Sequence, residues 1–107
     1  MKKIIFLLKI TTIYMFFLLE GFSTQLNYFD EGKILFNEKK FDKSKIFFEK
    51  DIVFNPKNER SYLYLAKIFY ENKNDLEQEI NLNNVLLINP QNDEAIYMLT
   101  ILKIKQS

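Results

Sequence analysis

The side chains that run most reactions near neutral pH are scarce in this chain. Its 107 residues include no His and no Cys. That removes the usual acid–base group, the commonest metal ligand and any thiol nucleophile. Gly21 and Gly32 are isolated, so no glycine-rich loop cradles a phosphate. No Ser has a His to activate it. Glu77 and Glu79 stand two positions apart and would face different ways on a helix. Asp42 and Lys45 read as a solvated helix face, and the acids nowhere take a metal-ligand spacing. The formal net charge is +1, and the lysines are spread among acids, which argues against a nucleic-acid partner. The expectation is a chain that is not an enzyme, with no catalytic residue, cofactor or metal.

Recognition by shape remains, and the sequence repeats the residues suited to it. Pro56 and Pro90 are 34 positions apart. At the same offset Tyr28 matches Tyr62, Gly32 matches Ala66, Leu35 matches Phe69, Phe48 matches Leu82 and Phe54 matches Ile88. Lys33 also matches Lys67, and Phe36 matches Tyr70. In the tetratricopeptide repeat, which this pattern resembles, one unit is two antiparallel helices that cannot bury their apolar faces without neighbours. The small residue lets the two helices approach. The proline fixes the turn into the next unit, because the residue before it is pushed out of helical geometry.

The pattern resembles the tetratricopeptide repeat over roughly residues 25–104. It predicts an all-α, antiparallel helix-hairpin solenoid of about two and a half units, at 25–58, 59–92 and a partial 93–107, within a domain spanning 24–107. Ser44, Asp51 and Gln78 depart from the family by standing where alanine is usual, and Lys103 stands where a large apolar residue is usual. The resemblance implies a non-enzymatic protein-interaction module. Its first helices would line a concave surface that holds a peptide or a partner helix. Carried over residue by residue, that surface comprises Phe29, Lys33, Phe36, Leu63, Lys67, Tyr70, Tyr97 and Ile101, with Arg60 at its edge. An apolar ligand segment with a carboxylate is expected there, unless Phe29 and Leu63 simply pack between helices. Phe29 and Lys33 replace the lysine and asparagine of the clamp used by chaperone-tail-binding members, so that ligand is not implied.

Around these positions the sequence gives an outline of helices. Ser23 or Thr24 is expected to cap the first. Asn37–Lys40 turns the chain, with Asp42 as the next cap and Phe41 and Ile46 as a hydrophobic staple. Ile46, Phe47, Phe48, Ile52, Val53 and Phe54 are expected to face inward. In the second unit Asn58 caps a helix carrying Tyr62, Leu65, Ala66 and Phe69 inward. Asp75 is then expected to cap a helix burying Ile80, Leu82, Val85, Leu86 and Ile88, with Gln78 reaching back to it. Asn92 caps a last helix whose Ile96, Leu99 and Leu102 cover the second hairpin. Tyr97, Met98, Ile101 and Ile104 leave that helix apolar, to be read either as a capping helix with some exposed apolar residues or as a self-association edge.

The N-terminus reads differently. Met1-Lys2-Lys3 precedes an apolar stretch at residues 4–19, broken by Lys9, Thr11 and Thr12. Glu20-Gly21-Phe22-Ser23 follows, in the order of a secretory signal. Residues 1–23 are read as a signal peptide cleaved after Ser23, an uncleaved single-span anchor with Lys2 and Lys3 on the cytoplasmic side, or a buried cytosolic helix. The first two readings place the rest in the periplasm or cell envelope, or tether it to the inner membrane by residues 4–19. Two other roles stay open: a membrane-anchored, self-assembling helical scaffold, and a small chaperone for an exported client.

Overall fold

The computed structural model describes residues 27–107, which form five α-helices and no strand among them. The readings of residues 1–23, and of Ser23 or Thr24 as a cap, lie outside the described residues. The helices are α1 (Tyr28–Asn37), α2 (Phe41–Phe54), α3 (Glu59–Glu71), α4 (Asp75–Ile88) and α5 (Asp93–Gln106). Each packs against the next in chain order, and α1 also touches α3. No helix among the described residues is long and apolar enough to cross a membrane.

The 34-residue spacing governs the helix bounds. Phe41 and Asp75 open α2 and α4, Phe54 and Ile88 close them, and Glu59 and Asp93 open α3 and α5. Lys39 and Lys73, also 34 apart, both take left-handed backbone in the tight turns, with φ of 61° and 57°.

Asparagine caps four of the five helices. The Asn27 side chain accepts from the Asp30 N–H at 2.8 Å, Asn58 from Arg60 at 3.2 Å, Asn74 from Glu77 at 3.2 Å and Asn92 from Ala95 at 2.9 Å. Two expected caps are therefore displaced. Asn74, not Asp75, caps α4, and Gln78 is buried in the packing instead. Asp42 lies in the first turn of α2, which opens at Lys40 without a side-chain cap. The staple is absent too: Phe41 meets Phe36 edge-on at 5.3 Å, and Ile46 is exposed.

The inner faces of α2 and α4 also differ from expectation. Ser44, Phe48 and Asp51 form the buried stripe of α2, and Gln78, Asn81, Leu82 and Val85 that of α4. Val53 and Phe54 are 74% and 69% exposed, and Ile80 and Ile88 are also exposed. Polar residues sit inside because their hydrogen bonds are met there. The Ser44 hydroxyl donates to the Gly32 carbonyl at 2.6 Å, and the Asn81 amide donates to the Glu77 carbonyl at 2.8 Å.

Asp51 is the centre of one such network. Its carboxylate accepts from the Ser61 hydroxyl at 2.5 Å, the Asn58 amide at 2.8 Å and the Asn55 amide at 3.0 Å. This ties the end of α2 to the start of α3 through the Asn55–Asn58 corner. The Asn89–Asn92 corner is tied by Glu59, whose carboxylate accepts from Asn92 at 3.0 Å and Asn89 at 3.3 Å. The positions matching Asp51 and Ser61 are Val85 and Ala95, fully buried in one apolar cluster.

Two clusters make up the core of the described residues. Phe29, Phe48, Leu65 and Ile68 form one, and Leu63, Ala66, Leu82, Val85 and Ala95 form the other. Helix α3 contributes to both, which explains its uninterrupted Tyr62-Leu63-Tyr64-Leu65 run: a helix covered on two sides needs apolar residues on two faces. Gly32 is required by close approach. A Cβ there would lie 2.9 Å from the Phe48 ring.

Candidate functional site

Tyr70 on α3 and Tyr97 and Ile101 on α5 come together with Gln78, Met98, Leu102 and Lys105 around one cleft of about 250 Å³. Three of the nine groove residues expected from sequence thus share one wall system. Tyr70, Tyr97 and Ile101 are all exposed, Tyr97 at 68%, so their apolar surface is available. Leu102 closes the bottom, nearly fully buried. The volume lies below the usual 300–1,000 Å³ or so of small-molecule sites. It suits one or two large side chains of a polypeptide better than a whole cofactor.

The other expected residues take different places. Phe29 and Leu63 are buried in the two core clusters, so they support the surface from below and offer no apolar floor. Phe36 is occupied by Phe41 and Tyr64, at 5.3 and 5.0 Å between ring centroids. The Arg60 guanidinium lies 4.5 Å over the Phe29 ring and shields it from solvent. Lys67 pairs with Glu94 at 2.6 Å and sits 5.1 Å over Tyr64. Lys33, half-buried on α1, has no ion pair among the described residues.

Sequence reasoning missed Tyr64, Met98, Gln78 and Lys105. Tyr64 joins α1, α2 and α3: it stacks on Phe48 at 5.0 Å and 10° and meets Phe29 and Phe36 edge-on. Its place in a four-residue apolar run was the available signal. Lys105 borders the cleft and reaches back to Asp75 at 3.0 Å, holding the end of α5 against the start of α4. Beside it Lys103 donates to Glu79. That hydrogen bond is the chief reason the Glu79 carboxyl titrates below its ordinary value; burial opposes the shift, and the Lys103 charge and a bond from Gln106 reinforce it. No group of three or more potential metal ligands occurs among the described residues.

Comparison with known protein families, characterised proteins and solved structures finds no match.

Proposed function

We propose that this chain is a non-enzymatic protein-interaction module of tetratricopeptide-repeat type, stacked as a short solenoid of helix hairpins and exported or tethered by its N-terminal segment. It binds an extended peptide or partner helix along α1, α3 and α5. The single observation that carries this reading is the meeting of Tyr70, Tyr97 and Ile101, two helices apart in the chain, around one apolar cleft. The recurrence of helix bounds, caps and left-handed turn residues at 34 positions supports the repeat reading.

The ligand presents a large apolar side chain to the cleft and a carboxylate to the lysines. Lys33 is available for that carboxylate, whereas Lys67 yields only by exchanging Glu94 for it. A peptide-display library panned on the full chain tests the reading. Enriched peptides carry an aromatic or long aliphatic residue beside Asp or Glu. Tyr97→Ala lowers their affinity by about tenfold, in keeping with loss of an aromatic contact at the centre of an interface, and Lys33→Glu selectively weakens the acidic ones. Absence of enrichment, or unchanged affinity in Tyr97→Ala, refutes the cleft as the binding site.

A further inference from the structure

We propose that α5 is a self-pairing helix: two copies of the chain associate about a twofold axis through antiparallel α5 helices, on the side away from the cleft. A second groove of about 520 Å³ runs along this side, lined by Leu86, Ile96, Leu99, Thr100, Lys103 and Ile104. Its α5 residues correspond, 34 positions on, to Tyr62, Leu65, Ala66, Phe69 and Tyr70 of α3. In the two hairpins, the small residue of this stripe packs against the second helix. Gly32 meets the Phe48 ring, and Ala66 shares a cluster with Leu82 and Val85. Thr100 holds the same place on α5. Its hydroxyl donates back to the Ile96 carbonyl at 2.7 Å, which turns its polar atom onto its own helix. Among the described residues nothing fills the groove.

Charge selects the occupant and its direction. Of the acids in the first turn of α5 and the bases in its last, Glu94 pairs with Lys67 and Lys105 borders the cleft, which leaves Asp93, in helical register with Ile96 and Thr100, and Lys103, already bonded to Glu79, on the groove side. An antiparallel mate sets acid against base at both ends, whereas a parallel mate sets like against like. Asp93 has no ion pair among the described residues and is open to such a contact. Leu99 and Thr100 are the middle residues of this fourteen-residue helix, so an axis beside them overlaps the two copies along their whole length, roughly 21 Å. One helix pair is smaller than a standard interface of about 1,600 Å², so the dimer is concentration-dependent, with a Kd in the micromolar range.

Sedimentation equilibrium of the full chain between about 1 and 200 µM, a range that brackets micromolar association, tests this. The expected result is a reversible monomer–dimer equilibrium. Thr100→Arg puts a charge at the axis in both copies and weakens it by at least about tenfold, at an exposed position whose change leaves the helical circular dichroism intact. The cysteine-free chain also permits a positional test. Thr100→Cys forms a disulfide-linked dimer under mild oxidation, since partners at the axis come within about 7 Å, and Lys57→Cys on the distant corner does not. A strictly monomeric chain overturns the proposal. So does a dimer indifferent to Thr100→Arg, as association through residues 4–19 would be, or a dimer that Thr100→Cys fails to cross-link.

Discussion

Replacing Asp51 by Val tests how the first corner is held. Asp51 is 2% exposed and accepts three hydrogen bonds. Asn55 is exposed and recovers a partner from water, so its bond counts for little. The Ser61 hydroxyl is fully buried and is left without its acceptor, which costs about 1–3 kcal/mol. The half-buried Asn58 amide loses a bond to a charged group, a further 1.5 kcal/mol or so. The added Val methyls offset about 1 kcal/mol. The net loss is about 2–3 kcal/mol, a large share of the roughly 4–12 kcal/mol expected for a domain of about 80 residues. The second unit supplies the control, because it places Val85 and Ala95 at the matching positions. Asp51→Val with Ser61→Ala removes the stranded hydroxyl and recovers about 2 kcal/mol as coupling in a double-mutant cycle. Urea unfolding followed by circular dichroism measures both. At about 1–3 kcal/mol per molar urea, the single variant lowers the midpoint by about 1–3 M. A single variant within about 0.5 kcal/mol of the parent, or a double variant no more stable than the single, refutes the assigned role of the network.

Two further predictions concern packing and charge. Gly32→Ala gains about 1 kcal/mol of helix propensity but drives a methyl into Phe48, which is fully buried and stacked on Tyr64. Overpacking of about 1–3 kcal/mol makes the variant less stable in urea, and adding Phe48→Leu, the Ala66–Leu82 pairing of the second unit, restores it. Glu79 has a lower pKa in the folded chain than unfolded, so its contribution to stability is present above the unfolded pKa and is lost as pH falls through the folded one. Lys103→Met returns the Glu79 titration, followed by carboxyl-carbon NMR, toward the ordinary Glu value and flattens this part of the acid limb; an unmoved titration contradicts the assignment.

The helix bounds were legible because prolines and small residues act through backbone sterics, which leave a mark at fixed positions. Pro56 and Pro90 marked the corners, Gly32 a close approach, and Asn58 and Asn92 the caps, and these stand as read, while Ala66 is fully buried. The buried faces of α2 and α4 were not legible from hydropathy. Ser44, Asp51, Gln78 and Asn81 point inward while Val53, Phe54 and Leu87 point out. A carboxylate is stable inside when three donors converge on it, and those donors come from residues up to ten positions away. In the cleft, register alone brought Tyr70, Tyr97 and Ile101 together. Lys105 escaped notice because its role depends on Asp75, thirty residues earlier.

Helix α5 supplies most of the cleft wall, and besides its buried Ala95 and Leu102 it is held by three of the four ion pairs among the described residues: Lys67–Glu94, Lys103–Glu79 and Lys105–Asp75. Each has an exposed partner and is worth about 0–1 kcal/mol, less as salt rises. The outer contacts of the cleft wall are therefore open to screening by the surrounding solution. For the proposed receptor, ionic strength acts as an external dial: raising it slackens these contacts and lowers affinity even for a ligand that carries no charge.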